Sequence, residues 1–173
     1  VTGSLIVALA AFTALTFSAA GIGAVFTARS VRTWYPALRK PPGNPPAYCF
    51  GPVWTFLYLL ITFSAWNVWR VADGWEGATA AIVIFLVQLA LNAAWSVLFF
   101  GLRSPGRALI EIAFLWIAIV ATMIAFWRIS ALSGELLIPY LLWVSYAAYL
   151  NAGIWKLNRA QGKSRDQLTD SRR

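Results

Sequence analysis

Gln88, Asn92, Trp95 and Phe99 stand at i, i+4, i+7 and i+11 of the uncharged run QLALNAAWSVLFF. On a helix this spacing lines two amides and two flat rings along one stripe. Burying an amide in hydrocarbon costs several kcal/mol on transfer scales unless it finds a partner, so the stripe has to face other helices or a ligand. Trp54, Tyr58, Ile61 and Ala65 form a comparable stripe, and Trp143, Ala147 and Leu150 a third. The chemistry open to these residue types is recognition, with rings that stack on a flat apolar molecule and a few polar groups that orient it. Packing is the competing account: aromatics line bundles, and Asn or Gln joins membrane helices for about 1 kcal/mol. Interfacial belts account in the same way for Trp34, Trp66, Trp69, Trp127 and Trp155. A lid of Tyr35, Pro45, Pro46 and Tyr48 tips the reading towards a pocket, because interhelical packing does not require one.

The inventory for bond-breaking chemistry is thin. The chain has no histidine and a single cysteine, Cys49, so a serine-type triad, an intrachain disulfide and the commonest metal ligand are all missing. No glycine-rich phosphate loop and no intramembrane carboxylate pair is present. Glu111 is the only formal charge inside the apolar runs. It follows Arg107 by one helical turn, and the simplest expectation is an interfacial ion pair between them, in preference to a proton relay. No catalytic residue, no metal site and no required cofactor are expected.

The elements that must position these stripes are set by solvent. The chain is 60% hydrophobic and 12% charged, about half the charge of a typical soluble protein. Five runs, 5–27, 52–69, 78–102, 108–127 and 136–155, approach or exceed the roughly 20 apolar residues that cross a bilayer core as a helix. They are apolar on every face, which excludes the alternation of a β-barrel. The fold class expected is all-α, a five-helix transmembrane bundle. A signal peptide is the alternative for 5–27, but the run exceeds an h-region and lacks a basic flank, although Val1 points to a trimmed start.

Five spans place the termini on opposite sides. The side with the first loop, the third loop and the tail holds Arg29, Arg32, Arg39, Lys40, Arg103, Arg107, Lys156, Arg159, Lys163, Arg165, Arg172 and Arg173, while the other holds Arg70 and Arg128. By the positive-inside rule the first loop and the tail are cytoplasmic. The basic tail is read as a topology determinant beside anionic lipid, with no nucleic-acid partner. Depth along the helices brings Trp54, Asn92 and Trp95 together in the cytoplasmic half beneath the first loop, with Trp143 nearer the outer half as a deeper wall.

Residues 1–158 read as one membrane domain and 159–173 as a mobile basic tail. The 28–51 connection is too proline-rich for a helix and too long for a turn, as lids and binding loops are. Pro139 falls where a helix begins. Ala19 with Gly23, and Ala90 with Ala94, are small-xxx-small pairs that permit either dimerisation or close packing within one subunit.

The fragments WYPALRKP, NPP, FGPVWTFLY, QLALNAAWSVLFFG and LLIPYLLWVSYAAYLN together resemble the tryptophan-rich sensory protein and translocator protein family, also called the peripheral benzodiazepine receptor family. The resemblance covers the chain from its first span to about Asn158. It implies a five-helix bundle, commonly a homodimer, with a pocket open to the cytosolic side that takes porphyrins, sterols and isoquinoline or benzodiazepine ligands. Motif for motif, it places Tyr35 and Pro46 in the lid and Trp54, Tyr58, Asn92, Trp95, Trp143 and Ala147 against the ligand. Two departures stand out. Gly43 occupies a loop position where the family often has tryptophan, and Ala152 replaces the tyrosine of the animal cholesterol motif, so sterol transport is disfavoured. A bacterial membrane is expected in preference to the mitochondrial outer membrane.

The expected function is binding or sensing of a flat tetrapyrrole, its ring among Trp54, Trp95 and Trp143 and its propionates at the basic rim. Without histidine there is no ordinary axial ligand for haem iron, so iron-free porphyrin should bind at least as well. The alternatives are an enzyme that photo-oxidises bound porphyrin through pocket tryptophans, and a porphyrin or sterol transporter.

Overall fold

The computed structural model describes the backbone of residues 2–170 and the side chains of residues 3–159. The apolar runs fold as α1 (Thr2–Thr33), α2 (Phe50–Val71), α3 (Trp75–Ser96), α4 (Pro105–Ile129) and α6 (Ile138–Asp170), with a short α5 (Ala131–Glu135) before the last. Among the described residues there is no strand, and five helices are long and apolar enough to cross a membrane. The all-α, five-helix expectation holds. α3 packs along α4, α4 along α6, and α1 against both α2 and α3.

The helices overrun the apolar windows, because backbone hydrogen bonding continues through charged residues at which hydropathy has already fallen. α1 carries Arg32 in its last turn, where a cation meets the negative end of the helix dipole. The connections shorten accordingly. Where the windows predict a loop over 70–77, α2 and α3 are joined by Ala72, Asp73 and Gly74 alone. Asp73 and Gly74 take φ of 57° and 103°, and the Gly74 N–H donates to the Trp69 carbonyl at 2.9 Å, which closes the helix end. Within the predicted loop 128–135, Ala131–Glu135 fold as α5. The Ser130 hydroxyl accepts from the Ser133 N–H at its start, and a Cβ on Gly134 would lie 2.8 Å from the Trp127 Cβ. Pro139 stands in the first turn of α6, as expected.

At the other end α3 widens into a π-type turn over Val97–Gly101, with the Leu102 N–H donating to the Val97 carbonyl at 2.8 Å. Ser30 of α1 donates to the Phe100 carbonyl at 2.6 Å. Gly101 approaches α1 so closely that a Cβ would lie 2.7 Å from the Phe26 ring. α6 runs to Asp170, so the segment predicted as a tail from Arg159 begins as a continuation of that helix. Residues 171–173 lie outside the described ones.

The connection between α1 and α2 is a strap laid along α6. Arg39 donates its N–H to Asn158 Oδ1 at 3.1 Å and accepts from Asn158 Nδ2 at 3.0 Å. Buried Pro41 covers Gly153, where a Cβ would meet the Pro41 Cγ at 2.7 Å. The Pro42 carbonyl accepts from the Tyr149 hydroxyl at 3.3 Å, and the Gly43 carbonyl accepts from the Tyr146 hydroxyl. Partners 146, 149 and 153 share one face of α6 and 158 lies further along the helix, so the strap descends about three turns before α2 begins. Prolines suit this role, since they hold an extended chain that cannot bond with itself. Gly43 has φ of 84°, a left-handed conformation that a tryptophan would adopt only with strain.

Candidate ligand-binding site

A cavity of about 480 Å³ lies between α1, α2, α3 and α6 at the strap end of the bundle. Five of the eight residues expected in the lid or against the ligand line it: Trp54 and Tyr58 from α2, Trp95 from α3, and Trp143 and Ala147 from α6. Their rings are held by neighbours. Trp54 stacks on Tyr58 at 5.4 Å between centroids and meets Tyr140 edge-on at 6.3 Å. Trp95 stacks on Phe99 at 5.2 Å, and its indole N–H donates to Asn151 Oδ1 at 3.1 Å. Asn151 in turn donates to the Pro105 carbonyl at 2.7 Å, fixing the α3 tryptophan to the start of α4 through α6.

Three of the expected residues stand elsewhere. Asn92 is buried behind the wall, where its Oδ1 accepts from the Tyr58 hydroxyl at 2.6 Å and its Nδ2 donates to the Tyr140 hydroxyl at 2.9 Å. Its amide is therefore committed to two tyrosines, and Tyr58 is the polar group of that trio that lines the cavity. Tyr35 is buried among Phe50, Phe99 and Phe100, and its hydroxyl donates to Asn44 Oδ1 at 2.7 Å. Burial raises the Tyr35 hydroxyl above its ordinary pKa; the Asn44 bond offsets part of this, and Tyr146 adds to it. Pro46 is exposed at the start of the short turn Ala47–Cys49. Tyr35 and Pro46 thus shape the strap and do not line the cavity.

Trp143 lies closer to the strap than depth counting predicts. Its ring is 6.3 Å from that of Phe50, the first residue of α2, and 5.9 Å from Tyr146, which holds the strap at Gly43. The reason is that α2 starts below the rim, after the strap has descended α6. The Arg107–Glu111 ion pair is also absent. Both Glu111 carboxylate oxygens are buried without a hydrogen-bond partner, while Arg107 is exposed.

Sequence reasoning missed the α1 wall of the cavity, where Phe17, Ala20, Gly21, Ala24 and Ala28 face Trp54 and Trp143 across the space. Beyond Phe17 its residues are small and leave room for a guest, and Ala19 with Gly23 was a signal of this. A Cβ on Gly23 would meet Ser96 Oγ at 3.1 Å, so this pair packs α1 against α3 within the subunit. Tyr146 was legible in principle, one turn beyond Trp143 on the same face. No lining residue is charged, which suits an apolar guest held by ring contacts and a hydroxyl. Exposed Arg29 follows directly on Ala28, the last α1 residue of the wall.

The TspO/MBR family model matches residues 11–156. The tryptophan-rich protein TspO of Chlorobaculum tepidum is 44% identical over 138 residues, 79% of this chain and 86% of that protein. Protein CrtK of Rhodobacter capsulatus is 36% identical over 81% of this chain and 86% of its own length. The human translocator protein is 36% identical over 79% and 82%. A match spanning all five membrane helices, joined to relatives this similar over most of both chains, places the protein in the TspO/MBR family as an integral, multi-pass membrane protein.

Proposed function

We propose that the protein is a membrane receptor for porphyrins and chemically similar flat apolar molecules, linking their level to a tetrapyrrole-dependent response. The observation that carries this reading is the convergence of Trp54, Trp95 and Trp143, from three different helices, on one uncharged cavity. A tetrapyrrole ring fits between such walls, with its propionates towards Arg29 and Arg32 at the end of α1. The positive-inside rule puts that end in the cytoplasm. The chain has no histidine, and iron-free porphyrin binds at least as well as haem.

Titration of tryptophan fluorescence with protoporphyrin IX in detergent tests the reading. If each indole contributes on the order of 1 kcal/mol, a Trp54→Ala, Trp95→Ala, Trp143→Ala variant binds about 100-fold more weakly. Equal affinity, in a variant whose circular dichroism is unchanged, rules the cavity out. The photochemical reading is favoured by one feature, the Trp54–Tyr58 stack of two oxidisable rings on the wall. Light-dependent turnover to a defined product, lost in Trp54→Phe, would establish it over simple binding. A homodimer is the assembly we propose. With Ala19 and Gly23 engaged inside the subunit, exposed Ala90 of α3 marks the face to crosslink.

A further inference from the structure

Towards the strap the cavity is roofed by Phe50 and Phe100. Buried Tyr35 backs both rings, at 6.2 and 5.9 Å between centroids, and its hydroxyl ties this roof to Asn44 of the strap. The side between α1 and α2 is different. There the cavity is edged by exposed residues, Gly21, Ala24 and Ala28 on α1 and Gly51 and Thr55 on α2. A Cβ on Gly21 or on Gly51 would meet nothing within 4 Å. Both helices are long and apolar enough to cross a membrane, over Gly3–Thr33 and Ala47–Val71, so the gap between these edges opens on lipid.

The gap follows from how the two helices are held. Away from the strap they are joined, with the Trp66 indole of α2 donating to the Leu5 carbonyl of α1 at 3.1 Å. Further along, the Phe17 and Tyr58 rings meet at 6.1 Å between centroids. Beyond that level they lean on different neighbours. α1 turns to α3 and its π-type turn, where a Cβ on Gly23 would meet Ser96 Oγ at 3.1 Å and Ser30 donates to the Phe100 carbonyl at 2.6 Å. α2 turns to α6, where Phe50 meets Trp143 and Trp54 meets Tyr140, each at 6.3 Å between ring centroids. The helices part towards the strap end and leave a slot between them.

We propose that this slot is a lateral portal, through which a guest dissolved in the cytoplasmic leaflet enters the cavity edge-on without passing the strap. Edges of glycine and alanine suit a flat ring, since they present little side chain for it to displace. The acidic group of an amphipathic guest stays at headgroup level, beside exposed Arg29 and Arg32, while the ring moves sideways. The strap then serves to hold the roof, and the portal sets how fast the cavity loads and empties. This inference rests on the cavity being the ligand site, and two measurements keep the two ideas separable.

The first uses the full chain in lipid vesicles, with protoporphyrin IX dimethyl ester dissolved in the bilayer as the probe and tryptophan quenching as the signal. In antiparallel helices the Phe17–Tyr58 pair puts Ala24 level with Gly51, about two turns on. An Ala24→Cys, Gly51→Cys, Cys49→Ser variant can therefore be closed across the slot by a reducible thiol–thiol bridge. A barrier at a portal slows entry and exit alike. The bridge should slow loading and release together, each by about tenfold or more, and reduction should restore both. Asn158→Ala, which frees the strap from α6 at Arg39, should load at the original rate. Unchanged rates on bridging, faster loading in Asn158→Ala, or a bridge that weakens affinity while release stays fast each overturn the portal.

The second uses the unsubstituted chain and no porphyrin. Vesicles holding a phospholipid with a diazirine on its acyl chain are photolysed, and the adducts are located by mass spectrometry. Exposed Phe114 of α4 reports the outer surface, and Tyr58, buried and lining the cavity, reports the interior. Adducts on both are expected; adducts on Phe114 with none on Tyr58 overturn the portal. Adducts on Tyr58, with an ester that does not bind, leave the portal standing and remove the porphyrin reading of the cavity.

Discussion

Tyr35 shows how one side chain sets the conditions under which the strap stays closed. Its hydroxyl is held neutral by burial, so its pKa in the docked strap lies above the ordinary tyrosine value of about 10. An undocked strap loses its Tyr35 proton first, and by linkage the docked state loses stability as pH rises through the window that begins near that value. A spin label at Tyr48→Cys in a Cys49→Ser background should therefore become more mobile above about pH 10. Tyr35→Phe should loosen the strap at neutral pH by about 1 kcal/mol, the worth of the lost Asn44 bond, yet show a smaller further change at alkaline pH. Equal alkaline responses in the two proteins would mean that Tyr35 is not the group that sets the effect. At this scale much of the cavity lining was legible, because Trp54, Tyr58, Trp95, Trp143 and Ala147 are all read from helical spacing and motif. Asn92 was placed on the right stripe but given the wrong partner, since spacing reports the face of a residue and not which neighbour occupies its amide.

Helices without a hydrophobic force between them need specific contacts to stay in register, and each junction of this bundle has some. At the end away from the strap, Asn67 of α2 donates to Ser130 and Ser133 at 3.0 and 2.9 Å, Ser64 donates to the Ser133 carbonyl at 2.7 Å, and Arg70 donates to Asn67 Oδ1 at 2.7 Å. This clamp and the Gly134 contact pin α5 between α2 and α4. Gly134→Ala should cost at least about 1–3 kcal/mol, as overpacking in a dense core does, because its Cβ would meet the backbone and ring of Trp127. A lower unfolding midpoint in detergent checks this, and an unchanged one would mean that α5 shifts freely. Asn158→Ala removes both bonds to Arg39. With neutral hydrogen bonds worth about 1 kcal/mol each, it should raise the open fraction of the strap by one order of magnitude or more, read from the same spin label. Hydropathy predicted the five long helices but neither α5 nor the strap's docking. The first is stabilised by serine and asparagine side chains that windows ignore, and the second by contacts more than 100 positions apart along the chain.

Across the whole molecule, α1 is fastened near both ends and carries small residues between. The Trp66 indole donates to the Leu5 carbonyl at 3.1 Å at one end, and Ser30 holds the Phe100 carbonyl at the other. The stretch from Ala20 to Ala28 is left to wall the cavity. Whether propionates can meet Arg29 and Arg32 from the cytoplasm depends on orientation, for which charge asymmetry is the physical basis. Twelve of the basic residues belong to the strap end, the third loop and the tail, and two to the opposite side. Translocating a loop with that many cations is strongly disfavoured. Tyr48 is 79% exposed, so a Tyr48→Cys, Cys49→Ser variant carries one accessible thiol beside the strap. A membrane-impermeant maleimide should label it in inside-out vesicles and leave it unmodified in right-side-out ones. The reverse pattern would put the strap outside the cell, turn the basic rim away from cytoplasmic porphyrin, and require a periplasmic or extracellular source for the guest.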